Sequence, residues 1–219
     1  MHAVVVAGSL LVGELDRAAV ETADVLVAVD GGADALARIG LVPSLLVGDL
    51  DSISPTALAD LRARGVEVVV LPTAKDETDT EAALRLAIER GATEITVFNA
   101  LGGPRLDHLL GNLLLLTAPW LAPVRVTLVD GLHEAFLVKG DGVVNGRPGD
   151  TVSLLPLTKA VQDVTTEELL YPLRREPLLQ GTTRGVSNEM TGDSARVTHG
   201  EGALLLIHYG GRSCGDDER

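Results

Sequence analysis

The sequence predicts an α/β amino-terminal domain with a mostly parallel sheet, followed by an all-β antiparallel sandwich or barrel. Three observations carry this. Short apolar runs alternate with helical patterns through roughly the first 130 residues, the signature of βαβ units. Those runs are apolar throughout, as strands buried on both faces should be. After about Gly131 the texture changes: Gly and Pro recur every few residues and the apolar runs become short and alternating. The expected domains are therefore residues 1–130 and 131–209, with 210–219 a disordered tail.

In the first domain, strands are expected at Ala3–Ala7, Val25–Val29, Leu45–Val47, Val66–Leu71, Glu94–Phe98 and Val124–Val129. A helix over Ala33–Ile39 stops at Gly40. Another over Pro55–Arg64 opens with Ser54 as N-cap and Pro at its first position, and stops at Gly65. A third opens at Thr78, where Thr78-x-x-Glu81 reads as a capping box and Leu84, Ala87 and Ile88 form an apolar stripe up to Gly91. In the second domain, strands are expected at Glu134–Lys139, Thr151–Leu155, Ala160–Thr165, Glu168–Leu173, Gly185–Asn188, Ser194–Thr198 and Ala203–Tyr209, with turns at Asn145-Gly146 and Gly192-Asp193.

Composition narrows the function. The 219 residues carry 18 Lys and Arg against 31 Asp and Glu, a net charge of −13, which disfavours a nucleic-acid or anionic-membrane partner. Phe98, Phe136, Trp120, Tyr171 and Tyr209 are the only large aromatics, so the core is aliphatic and a base-stacking platform is not expected. The single cysteine, Cys214, leaves no intrachain disulfide and no cysteine zinc cage. The start, MHAVVVAGSL, has no basic region before its short apolar run. The most lipid-like stretch, Leu109 to Val129, is broken by Asn112, Pro119, Pro123 and Arg125. A cytoplasmic protein with no membrane partner is expected.

The informative feature is where the carboxylates fall. Four motifs each follow a predicted strand: Asp30-Gly31-Gly32, Gly48-Asp49-Leu50-Asp51-Ser52, Lys75-Asp76-Glu77-Thr78-Asp79, and Gly102-Gly103-Pro104-Arg105-Leu106-Asp107-His108. Ligands of open α/β sheets bind outside the carboxyl ends of the strands, so these loops are expected to share one crevice. Clustered carboxylates repel unless a cation compensates, and Mg²⁺, held by one or two carboxylates plus substrate phosphates, is the natural one. Asp49 and Asp51, two apart on an extended segment, would point to the same side. Asp79 would project from a helix N-terminus, where phosphate is also favoured. Gly31-Gly32 and Gly102-Gly103 would admit backbone amides to a phosphate, and Lys75 and Arg105 offer charged donors. Neither G-x-x-x-x-G-K-[ST] nor G-x-G-x-x-G occurs. Each motif also has a bland reading as turn, cap or helix-start chemistry, His108 included.

The segments AVDGGADALARIGLVPSLLVGDLDSISP, KDETDTEAALRLAIERGATEITVFNALGG, RLDHLLGNLLLL and YPLRREPLLQGTTRGVSNEM resemble, in order and spacing, the thiamine pyrophosphokinase family. The resemblance implies pyrophosphoryl transfer from ATP to the hydroxyl of thiamine, giving AMP. It implies an ATP and Mg²⁺ site in the α/β domain, a thiamine-binding β-sandwich, and a homodimer with thiamine bound between subunits. Carried over, Asp49, Asp51 and Asp79 match the magnesium-associated acids and Asp30 the acid of the DGG loop. Arg105 and Asp107 match GGRxDH, and Ser187 and Asn188 match the late SNE motif. Asp30, Asp49, Asp51, Asp79 and Asp107 are thus expected to be catalytic. Gly31, Gly32, Lys75, Asp76, Gly102, Gly103, Arg105 and His108 are expected on ATP, and Ser187 and Asn188 on thiamine. Two departures stand out: Pro104 precedes Arg105, and Glu168-Leu169-Leu170 replaces the usual glycine-containing approach to Tyr171. The alternatives are a pyrophosphokinase acting on another alcohol, such as a hydroxymethylpterin, and a catalytically silent sensor of the same fold.

Overall fold

The structure, a computed structural model, describes residues 1–8 and 15–210. It divides into two compact units that meet in sequence between Gly131 and Leu132.

The first unit contains strands β1 (His2–Val6), β2 (Val25–Val29), β3 (Leu45–Gly48), β4 (Glu67–Val70), β5 (Glu94–Phe98) and β6 (Arg125–Asp130). Their lateral order is β6-β5-β1-β2-β3-β4, and every pair is parallel. Val4, Val5 and Val6 are fully buried, so both faces of the central strand are covered, as an unbroken apolar run requires. The helices are α1 (Arg17–Val20), α2 (Gly32–Arg38), α3 (Pro55–Ala63), α4 (Asp79–Glu89) and α5 (Leu106–Leu115). Ser54 and Thr78 cap α3 and α4 by accepting the amides of Ala57 and Glu81, both at 3.2 Å, a contribution of about 1 kcal/mol each. The Glu81 side chain pairs with Arg85 at 2.8 Å. Gly40, Gly65 and Gly91 follow α2, α3 and α4 with φ of +74°, +76° and +93°, the left-handed residues that end helices. One face of the sheet packs Val4, Val6, Ala28 and Leu46 against Leu36 and Leu61. A single 3₁₀ turn, Pro119–Leu121, places Trp120 beneath Arg85 of α4, with the guanidinium 4.2 Å from the ring centre.

The second unit contains β7 (His133–Val138), β8 (Asp141–Asn145), β9 (Thr151–Pro156), β10 (Ala160–Glu167), β11 (Arg174–Leu179), β12 (Asn188–Glu189), β13 (Ser194–Thr198) and β14 (Leu204–Tyr209). Two antiparallel sheets, β12-β9-β14-β7 and β11-β10-β13-β8, enclose one aliphatic core. Val138, Val152, Leu154, Leu204 and Leu206 come from the first; Val144, Val161, Val164, Leu178 and Val197 from the second. Most alternate with residues on the opposite face, the sandwich pattern, while Val161 and Val164 are set three apart by a bulge in β10. Between the strands of the first sheet, buried His208 is held by Glu134 through Nδ1 and by Asp150 through Nε2, both at 3.2 Å.

Two expectations need correction. Glu168–Leu173 is not a strand: β10 runs on to Glu167, the chain bends, and only Leu169 bridges back, to Met190. The strand lies instead at Arg174–Leu179, whose two arginines, glutamate and Pro177 read as polar connection. It is an edge of its sheet, where proline and charge are tolerated. Gly185–Asn188 is mostly turn, with a two-residue strand at Asn188–Glu189. The edge strand β8, masked by its Asp-Gly start, and the one-turn α1 were not expected. Residues 211–219 of the expected tail, Cys214 among them, lie outside the described residues. No helix among the described residues is long and apolar enough to cross a membrane.

Candidate functional site

The lateral order reverses at β1: the chain runs outward through β2, β3 and β4, then returns to place β5 on β1's other side. Such a switch point opens a crevice at the strands' carboxyl ends. Here it measures about 460 Å³, with Ala7 and Gly8 after β1 on one side and Asn99 and Ala100 after β5 on the other.

Asp30 follows β2 with φ +42°, a conformation aspartate tolerates. Its carboxylate lies against Gly48 and accepts the Leu50 amide at 3.0 Å. Burial pushes this carboxyl up to about 6; the Leu50 bond opposes that rise and the charges of Asp79, Asp49 and Asp51 add to it. Gly31 and Gly32, expected to cradle phosphate, do not line the crevice. A Cβ on Gly32 would stand 2.0 Å from the Val6 carbonyl oxygen, and one on Gly31 would stand 3.4 Å from those of Gly8 and Ser52. Gly32 lets the start of α2 press on the end of β1, a backbone contact within the fold, whereas a side chain at Gly31 would meet only ordinary van der Waals contact.

Asp49 and Asp51 both line the crevice, but not from an extended segment. Leu50 between them has φ +66°, and the Asp51 amide donates to Asp49 Oδ1 at 3.2 Å. Asp51 also accepts the Ser52 hydroxyl at 2.6 Å. The alternation argument therefore reached the right side of the sheet through the wrong local geometry. Asp79, the first residue of α4, reaches the crevice and pairs with Lys75 Nζ at 2.9 Å. Burial of the Lys75 ammonium opposes its charge, yet Asp79 outweighs this and holds lysine above its ordinary range. Lys75 thus stands behind Asp79 and does not line the crevice, and Asp76 is exposed away from it.

Gly102, Gly103, Pro104, Arg105 and His108 form another wall. Gly103 has φ +91°, a turn that absorbs Pro104 and leaves Arg105 at the rim. There Arg105 grips Asp107 with two parallel bonds, 2.9 and 2.6 Å, which hold the Asp107 carboxyl far below its usual range and the guanidinium above. Asp107, expected as a catalytic acid, is turned to Arg105 and does not line the crevice. Asn99, Thr80 and Asn112, given no site role by sequence reasoning, also line the crevice, as do Ser52 and Thr78, which lie in the predicted motifs but were assigned no ligand. Asn112 fixes the loop after β5 through the Ala100 carbonyl at 2.8 Å. Its spacing, one turn beyond His108 on α5, was the available signal.

In the second unit, Ser187 is exposed with φ +58°, its amide donating to Ser153 Oγ at 3.0 Å. Asn188 is buried. Its oxygen accepts the amides of Tyr171 and Glu189, at 2.9 and 3.0 Å, and its Nδ2 donates to the Tyr171 carbonyl at 2.8 Å. The Asn188 amide is spent on the Tyr171 backbone, so it is scaffolding for that turn.

Among the described residues no three Asp, Glu, His or Cys side chains form a ready-made metal cage. The donor set nevertheless fits a hard cation completed by its substrate. Carboxylates of Asp49, Asp51 and Asp79 face one crevice, and among the described residues only Asp79 of the three is ion-paired. Mg²⁺ keeps several waters and takes one or two carboxylates plus phosphate oxygens, so an open, net-negative donor set suits it.

The family model described as the thiamin pyrophosphokinase catalytic domain matches residues 17–128, and that described as the thiamin pyrophosphokinase vitamin B1 binding domain matches residues 143–204. A thiamine pyrophosphokinase of Bacillus subtilis (strain 168) is 27% identical over 183 residues, covering 83% of this chain and 85% of the relative. Among solved structures, the thiamin pyrophosphokinase of Geobacillus thermodenitrificans is 30% identical with a TM-score of 0.83, covering 98% of this chain and all of that one. The Bacillus subtilis crystal structure is 25% identical with a TM-score of 0.84, covering 97% and 100%.

Proposed function

The chain belongs to the thiamin pyrophosphokinase family, and on that premise we propose that it moves the pyrophosphoryl group of ATP onto the hydroxyl of thiamine with Mg²⁺. It is an enzyme of thiamine diphosphate formation. The donor, the metal and the residue roles are our reading. The observation that carries it is the convergence of Asp49, Asp51 and Asp79 on one crevice at the carboxyl edge of a parallel sheet.

In this reading the thiamine hydroxyl oxygen bonds to the β-phosphorus as the bridging bond breaks there. AMP keeps the bridging oxygen and the hydroxyl proton is released. Catalysis is positioning and charge neutralisation. Asp49, Asp51 and Asp79 would hold Mg²⁺, which supplies neutralisation of the phosphate oxygens. Lys75 fixes Asp79 and adds positive charge behind it. Arg105 exchanges Asp107 for phosphate, to which its planar guanidinium is suited. Gly102 and Gly103 bring backbone amides close without a Cβ, and His108 donates from the rim. The second unit binds thiamine, a role supported by the vitamin B1 binding domain match across 143–204. Ser187 presents a neutral hydroxyl there, and Asn188 holds the neighbouring Tyr171 turn in place.

A homodimer with thiamine between subunits belongs to the same reading. Leu106, Leu110 and Leu114, one turn apart along α5, are 66%, 49% and 57% exposed, an apolar stripe suited to a second copy. A cytoplasmic location completes it.

The test is incubation with ATP, Mg²⁺ and thiamine, followed by chromatography for AMP and thiamine diphosphate. Equal amounts of both support the reading. AMP without thiamine diphosphate points to another acceptor alcohol, and unconsumed ATP overturns it.

A further inference from the structure

We propose that Asp30 is the positioning residue of the cation-binding loop: its carboxylate, acting as a hydrogen-bond acceptor, locks Leu50 in a left-handed turn and so delivers Asp49 and Asp51 to the crevice together. The inference rests on the reading of Asp49 and Asp51 as cation ligands.

Leucine gains nothing locally from φ +66°, since its Cβ crowds the backbone there and it has no polar atom to compensate. Something outside the tripeptide must select that conformation. The Leu50 amide has its partner 20 residues away, in Asp30 Oδ1 at 3.0 Å. Asp30 is itself held rigidly, because its amide continues the sheet ladder to the Val47 carbonyl at 3.0 Å and its carbonyl accepts the Ala33 amide at the start of α2. Its φ of +42° turns the side chain across to β3.

Gly48 is the counterpart of this arrangement. A Cβ at position 48 would fall 1.8 Å from Asp30 Oδ1 and 2.3 Å from its Cγ, so the carboxylate occupies the place a side chain would take. The D-G-G aspartate and the G-D-L-D-S glycine are thus two halves of one contact. Beyond it, Asp49 Oδ1 takes the Asp51 amide and closes the loop on itself.

An acceptor and a direct ligand differ in what an amide can replace. Asparagine keeps the oxygen, shape and Leu50 bond of Asp30 and discards the charge; alanine discards all of them. Two readouts separate the cases in full-length protein: exchange of the Leu50 amide by ¹⁵N NMR, which needs no metal, and Mn²⁺ binding by calorimetry. In wild type and Asp30→Asn the Leu50 amide is protected and Mn²⁺ affinities agree within about threefold. In Asp30→Ala protection collapses and Mn²⁺ affinity falls by roughly 10- to 100-fold, the range for losing a group that orients a ligand. Turnover then recovers with added Mg²⁺, so the loss appears in the Mg²⁺ requirement before kcat. Asp30→Ser, whose hydroxyl stops a bond short of the carboxylate oxygen that takes the Leu50 amide, leaves the backbone of the cation loop untouched and serves if Asp30→Ala does not fold. An Asp30→Asn protein as defective for Mn²⁺ as Asp30→Ala overturns the proposal in favour of direct charge contact. A Leu50 amide that exchanges equally in wild type and Asp30→Ala also overturns it. Wild type that binds no Mn²⁺ sinks the metal reading instead, and the amide measurement still decides the clamp.

Discussion

Replacing Gly32 with alanine tests whether the double glycine serves the fold or a ligand. At the first turn of a helix this change is ordinarily neutral or helpful, because alanine is the better helix former by up to about 1 kcal/mol. Here the added methyl would stand 2.0 Å from the Val6 carbonyl oxygen and 2.8 Å from its carbon, and it needs more than 3.0 Å. Both atoms are backbone of the fully buried central strand and do not rotate away. Helix α2 must retreat by about 1 Å along a close-packed face, an overpacking that costs about 1–3 kcal/mol. Because the clash is with backbone that cannot rotate away, the cost lies at the upper end, about 2–3 kcal/mol, and after a helix gain of about 1 kcal/mol the net loss is about 1–2 kcal/mol, which at this chain length lowers the melting temperature by about 2–8 °C. Calorimetry of wild type and Gly32→Ala checks it, with ATP dependence of turnover in parallel. A raised or unchanged melting temperature combined with a higher KM for ATP would refute the packing argument and restore the phosphate cradle.

Asp49→Asn, Asp51→Asn and Asp79→Asn should each lower kcat/KM by at least about a hundredfold while melting cooperatively, since an amide matches the shape of a carboxylate but not its charge. Near-normal rates in all three at ordinary Mg²⁺ would remove them from the site. Arg105→Lys should raise the KM for ATP, because a lysine cannot offer the planar pair of donors that Arg105 now gives Asp107, whereas Asp107→Ala should leave the melting temperature within about 2 °C of wild type. The third concerns pH. The bond from Glu134, against the burial of the ring and with help from Asp150, raises the His208 pKa. A raised folded-state value stabilises fully below the unfolded value near 6.5 and loses that contribution as pH climbs through the folded value. The melting-temperature gap between wild type and His208→Gln should therefore be widest near pH 6 and narrow by pH 9; a gap that widens with pH would show the histidine to be neutral in the fold.

The parallel sheet was legible because its inner strands β1, β2 and β3 are nearly unbroken apolar runs and the helices between strands are punctuated by N-caps and left-handed glycines, signals that live within a few residues of one another. The failure was the edge strand Arg174–Leu179, which carries charge and a proline on a sheet edge where, among the described residues, no further strand pairs, and no local rule tells such a strand from a loop. At the crevice, the position of Asp30, Asp49, Asp51 and Asp79 followed from the rule that loops after parallel strands converge. What each atom does there did not follow. That Asp30 serves Leu50, that Lys75 stands behind Asp79, and that Asn188 is spent on Tyr171 are contacts between residues 4 to 20 positions apart, whose geometry only the folded chain supplies.

The lone tryptophan sits where an experimenter would place a probe. Trp120 lies beneath Arg85, two turns along α4 from Asp79, and a few residues past the end of α5, whose first turns line the crevice. With no second indole in the sequence, its emission comes from one place, the contact between the 3₁₀ turn Pro119–Leu121 and α4 at Arg85. A shift of α4 against that turn changes how closely the guanidinium covers the ring, and native fluorescence reads it in unlabelled protein.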